Sequence, residues 1–80
     1  RNIKSEALKG LLHDYHLAAN EIVYVGDALS DITECRKANV MCLSAAWSIS
    51  QNEVTALESS NPKNVFYSIL SLSEYLNART

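Results

Sequence analysis

Proline occurs once in this 80-residue chain, and glycine and cysteine twice each. So few breakers leave no low-complexity linker. Cys35 and Cys42 fit no metal-ligand spacing and are too few for a disulfide scaffold. No basic run stands out, which excludes the electrostatic footprint of a nucleic-acid binder. The apolar runs are far too short to span a bilayer, and the opening RNIKSE lacks the apolar region of a signal peptide. What is present is globular composition, with 48% hydrophobic and 20% charged residues and a formal charge of −2. A chain this short buries only about 60–65% of its unfolded surface, so one domain or less is expected. The expectation is a soluble, cytoplasmic chain without nucleic-acid or membrane partners. Because it begins at Arg1 rather than Met, it is also expected to be a piece of a longer protein.

Residues 5–16 read as an amphipathic helix, with Leu8, Leu11, Leu12 and Tyr15 at spacings of three and four and Ser5 as its cap. Gly10 inside it costs about 1 kcal/mol against Ala, tolerable where a neighbour packs closely. Ile22-Val23-Tyr24-Val25 is four β-formers without polar alternation, the pattern of a strand covered on both faces. Gly26-Asp27 ends it. Residues 31–38 read as a helix with Asp31 and Glu34 at capping-box spacing and Asn39 as a left-handed terminator. Val40 to Trp47 is a second strand candidate. Ser50 with Glu53 opens another helix, Val65-Phe66-Tyr67 makes a brief strand, and Ser71 with Glu74 caps a last helix ending near Asn77. The order α-β-α-β-α-β-α calls for a parallel sheet with crossover helices. Three strands, near 22–25, 40–46 and 65–67, are fewer than a doubly wound domain normally has, so half a domain is expected.

In open parallel sheets ligands bind beyond the carboxyl ends of the strands. The turn there is GDALSD, residues 26–31. It sets Asp27 at the strand tip and Asp31 four positions on, two carboxylates suited to a hard cation such as Mg²⁺. Gly26 permits a sharp turn or a close approach to a ligand. The same residues admit a structural reading, in which Asp31 caps its helix and Asp27 serves the turn. Lys4 heads the helix leading into this strand, and the right-handed return brings it to the same sheet edge, where it can neutralise a carboxylate and a phosphoryl oxygen together. By itself, a lysine before a helix is usually solvated.

Taken together, Lys4, the helix with Leu8, Leu11 and Leu12, the strand IVYV and the loop GDALSD resemble the haloacid dehalogenase (HAD) superfamily. There a lysine motif precedes a hydrophobic strand ending in GDxxxD. The stretch DITECRKANVMCLSAAW is similar to that superfamily's next helix, turn and strand. The tail NVFYSILSLSEYLN is similar to its short final strand and closing helix, so the resemblance covers nearly the whole chain. Asn39 and Ser48 stand where glycine is common. The resemblance implies an α/β fold, the C-terminal half of a three-layer Rossmannoid domain. Residues 1–80 would be a partial catalytic domain holding the lysine and GDxxxD motifs and the closing helix.

It also implies roles. Asp27 would bind Mg²⁺ directly and Asp31 through water, Gly26 would lie near the phosphate, and Lys4 would offset charge on the transferred phosphoryl group. The superfamily's nucleophile is an aspartate in a DxDx(T/V) motif, whereas this chain has only Asp14, Asp27 and Asp31 and no DxD. The nucleophile strand and the cap are thus absent. The expected activity is Mg²⁺-dependent hydrolysis of a phosphate monoester on a phosphorylated small molecule in the intact protein, with the isolated chain inert. The alternative is a non-catalytic α/β binding or interaction module. The edge of strand 22–25 is expected to promote self-association.

Other residues carry blander readings. His13 and His16 lack a third ligand nearby, so solvated or helix-end histidines are expected. Cys35 and Cys42 read as small core residues. Tyr15, Tyr24, Phe66, Tyr67 and Tyr75 are expected to be at least partly buried. Trp47 is expected to pack at a strand end.

Overall fold

The computed structural model describes residues 4–79. Helix α1 (Lys4–Asp14) leads through a 3₁₀ turn, Ala19–Glu21, into strand β1 (Val23–Gly26). Helix α2 (Leu29–Ala38), strand β2 (Met41–Ala45), helix α3 (Gln51–Ser60), strand β3 (Val65–Phe66) and helix α4 (Ile69–Arg79) follow. The sheet is parallel in the order β1-β2-β3, with Val25 opposite Leu43 and Gly26 opposite Ser44 in register. The alternation of helices and strands expected from the sequence is therefore present as a mixed α/β fold. None of the described helices is long and apolar enough to cross a membrane.

Helices cover both faces of this sheet. One face packs the main core, in which Leu8, Ile32, Cys35, Cys42, Val54 and Leu57 join α1, α2 and α3 to β2. On the other, Phe66 meets Tyr75 of α4 with ring centroids 5.1 Å apart, and Leu43 and Leu72 are buried. Strand β1 forms a sheet edge. Its Val25 is 42% exposed, although a run of four β-formers signals cover on both faces.

Local signals set most of the boundaries. Asn39 terminates α2 in the left-handed region at φ 58°, its N–H donating to the carbonyls of Arg36 and Cys35. At α3, the Glu53 N–H donates to Ser50 Oγ at 3.3 Å and the Ser50 N–H donates to Glu53 Oε1 at 3.0 Å, a complete capping box.

Ser5 lies inside α1 rather than capping it, and two further expected caps lie elsewhere. Helix α2 begins at Leu29, which makes Asp31 a residue of its first turn rather than its cap, and Glu34 turns instead toward α1. Helix α4 begins at Ile69, and the Ser71 N–H donates to Ser68 Oγ at 3.0 Å, so Ser68 takes the position assigned to Ser71. In each case apolar or small residues extend the helix upstream of the acid, and nothing local marks that extension. Helix α1 ends at Asp14, leaving Tyr15 68% exposed and His16 at φ 54°; Tyr67 is also exposed. Both tyrosines lie outside the regular elements, so helical and strand periodicity no longer governs their facing.

Gly10 meets no close neighbour. A Cβ built there finds no atom within 4 Å beyond its own helix. Gly10→Ala is therefore expected to raise stability by about 0.5–1 kcal/mol, read as a higher urea midpoint at unchanged m-value.

Candidate functional site

A cleft of ≈ 480 Å³ opens at the carboxyl ends of β1 and β2, and Lys4, Gly26, Asp27 and Asp31 all line it. Four positions singled out in the sequence thus meet at one rim. Parallel pairing puts the ends of β1 and β2 side by side, and the packing of α1 against α2 sets Lys4 beside Asp31 at the same end.

Asp31 is the structural centre of this rim. It is 4% exposed and its two oxygens have separate partners. Oδ2 accepts from the Ala28 N–H at 3.0 Å, satisfying an orphan donor at the start of α2, while Oδ1 accepts from Lys4 Nζ. The Lys4 ammonium lies 5.2 Å from the centroid of the Tyr24 ring. The hydrogen bond to Asp31 and the interaction with Tyr24 hold its pKa well above the ordinary lysine range. Lys4 is therefore cationic at any physiological pH.

Gly26 is needed here for space. Its φ is not positive, so no left-handed turn demands glycine. A Cβ at this position would instead strike the Asp31 side chain, coming within 2.7 Å of its Cβ and closer still to its carboxylate. The end of β1 and the start of α2 approach so closely because the Asp31 carboxyl lies against the Gly26 backbone. Asp27, by contrast, is exposed at the lip of the cleft.

The role of Glu34 and the place of Ser48 escaped sequence reading, and Trp47, expected to pack, is exposed in the cleft wall. Glu34, one helical turn beyond Asp31, is fully buried and accepts from the Ser5 N–H at 3.0 Å and from Lys37 Nζ at 2.9 Å. The spacing of three between Asp31 and Glu34 puts both acids on one face of α2, where they receive two successive residues of α1, Lys4 and Ser5. Glu34 caps α1 from a neighbouring helix, a long-range role that no local pattern encodes. Trp47 and Ser48, just past β2, supply the opposite wall of the cleft. Position beyond a strand's carboxyl end was their only signal.

The hydrogen bond from Lys37, then that from the Ser5 backbone, lowers the Glu34 pKa from 4.5 to about 2. A depressed carboxyl pKa means that the stabilisation is fully present above the unfolded value of 4.5 and is lost as pH falls toward about 2. Acid titration followed by circular dichroism is expected to show stability falling across that window. Glu34→Gln is expected to flatten this dependence, and an unchanged slope would dissociate the window from Glu34.

The remaining candidates are inert in this arrangement. Cys35 and Cys42 are buried and reduced, and burial raises both thiols, Cys42 to about 12, far from a reactive thiolate. His13 and its neighbour Asp14 are solvent-exposed. No group of three or more His, Cys, Asp or Glu side chains that could hold a metal occurs among the described residues. Mg²⁺ makes a lesser demand, being bound through one or two carboxylates together with water and substrate oxygens. Asp27 is open to such an ion, whereas Asp31 already shares its charge with Lys4.

No protein-family model matches the chain, and no curated protein or solved structure shows significant similarity to it.

Proposed function

We propose that the chain is the C-terminal part of a Mg²⁺-dependent, HAD-like phosphohydrolase that acts on the phosphate monoester of a small cytoplasmic metabolite. The observation that carries this reading is the convergence of Lys4, Asp27 and Asp31 on one cleft at the carboxyl edge of a parallel sheet. In this reading Asp27 holds the metal directly and Asp31 orients its water shell while fixing the Lys4 ammonium. The ion supplies charge neutralisation for phosphoryl transfer. Lys4 contributes a positive charge beside the phosphoryl oxygens, and Gly26 lies near the phosphate in the same cleft while leaving the space that the Asp31 carboxyl fills. The nucleophilic carboxylate comes from outside these 80 residues, so the chain by itself is inactive. Among the described residues one edge of β1 is unpaired, which supports a half-domain architecture.

Titration of the chain with Mg²⁺, followed by amide chemical shifts, is the direct test. Saturable shifts centred on residues 26–31 are expected, and a flat response there would sink the metal assignment. The isolated chain is expected to leave p-nitrophenyl phosphate intact with or without Mg²⁺.

A second reading, a non-catalytic interaction module, draws on that same open edge, where Val25 is 42% exposed. It is favoured if the chain ignores Mg²⁺ yet self-associates in sedimentation experiments as its concentration rises.

A further inference from the structure

A second cavity, of ≈ 450 Å³, opens at the opposite end of the sheet, where Ile22 precedes β1 and Asn39 and Val40 precede β2. Two arginines distant in sequence, Arg36 from the last turn of α2 and Arg79 from the last turn of α4, line it. No acidic residue lines it, although the chain carries a net charge of −2. Among the described residues, the partners of both arginines are neutral. Arg36 Nη2 donates to the Ser60 carbonyl at 2.5 Å, and Arg79 Nη1 donates to Tyr75 Oη at 3.1 Å and to Met41 Sδ at 3.4 Å. Neither forms an ion pair among the described residues, where the three pairs are Lys4–Asp31, Lys37–Glu34 and His13–Asp14.

A guanidinium has five donors in a rigid fork that matches a carboxylate or phosphate, so among the described residues most of the donor capacity of this pair is uncommitted. The cavity wall also carries the apolar residues Ile22, Val40 and Met41, with Asn20 and Asn39 as its neutral polar members. Met41 is 39% exposed, and its flexible thioether can adapt to an irregular ligand surface. The volume falls within the roughly 300–1,000 Å³ of small-molecule sites.

We propose that this cavity binds a small amphiphilic oxyanion, its carboxylate or phosphate held by Arg36 and Arg79 and its apolar body resting on Ile22, Val40 and Met41. The site is separate from the carboxyl-edge cleft and needs neither Asp27 nor Asp31. Its ligand would be recognised by charge at one end and shape at the other.

Amide chemical-shift titrations of the 80-residue chain without divalent metal test this, with benzoate, phenyl phosphate and benzyl alcohol as probes. Saturable shifts at residues 22 and 39–41 are expected for at least one of the two anions, and the tighter one identifies the preferred head group. Benzyl alcohol, with a similar body and no charge, is expected to bind at least about tenfold more weakly. Arg36→Gln and Arg79→Gln are each expected to weaken the anion about tenfold or more, and Arg36→Lys to give an intermediate loss because it keeps charge without the fork. Should Arg36→Gln disturb the fold by losing Ser60, Arg79→Gln and the probe comparison still decide the matter. The proposal is overturned if neither anion saturates these residues, if benzyl alcohol matches the anions, if shifts centre on residues 26–31, or if anion binding survives Arg79→Gln undiminished.

Discussion

Gly26→Ala is expected to lower the stability of the chain by about 1–3 kcal/mol, the usual range for forcing extra volume into a close-packed site. The new methyl group would overlap the Asp31 side chain, including its Cβ, which belongs to the α2 framework and cannot swing away like the tip of a long side chain. The strand end and the helix start must separate, and the hydrogen bond from the Ala28 N–H and the ion pair to Lys4 loosen with them. The variant is therefore also expected to lose the Mg²⁺-dependent shifts at residues 26–31. Chemical denaturation and the metal titration read the two effects separately. A variant as stable as the parent would show that β1 and α2 are not locked against each other.

The second large effect concerns the two ends of the Lys4–Asp31 pair, which are expected to respond unequally. Lys4→Met strands a nearly buried carboxylate with only the Ala28 N–H as partner, at an expected cost of about 2 kcal/mol. That lies below the ~3–5 kcal/mol of a fully buried pair, because the Lys4 side chain is 35% exposed and solvent screens the interaction. Asp31→Asn removes the charge, leaves a side-chain oxygen for the Ala28 N–H and lets the ammonium turn to water. Its expected cost is about 1 kcal/mol. In the double variant the neutral amide no longer needs the lysine, so its loss should be close to that of Asp31→Asn alone. Additive losses in the four-protein denaturation cycle would mean that the pair is uncoupled.

The proposed division of labour in the cleft rests on this pair. Asp31 is committed to Lys4 and to the start of α2, which makes it an anchor, while Asp27 is the carboxylate open to an incoming cation. In an intact phosphohydrolase, losing the Lys4 charge would lower turnover by an expected factor on the order of 10²–10³, as for other preorganised electrostatic groups. The isolated chain remains the right place to measure binding, since there it is not entangled with turnover.

Local chemistry alone was enough for the order of helices and strands, the left-handed stop at Asn39, the Ser50–Glu53 box and the place of Asp27 and Asp31 at the carboxyl end of β1. Each follows from periodicity, capping preference or the handedness of parallel crossovers, which act over a few residues or leave a single chiral choice. Packing decided the rest. Asp31 and Glu34, three apart, read equally well as a capping box and as two acids on one helix face, and only the arrival of α1 selects the second. Gly26 likewise reads as a turn residue until the Asp31 carboxyl is found against its backbone. The convergence of Arg36 and Arg79 has no local signature, because 43 positions separate them and only the docking of α4 brings both to one cavity. Short-range patterns specify what a residue can do for its own helix or strand; which distant partner it meets is settled when the layers close.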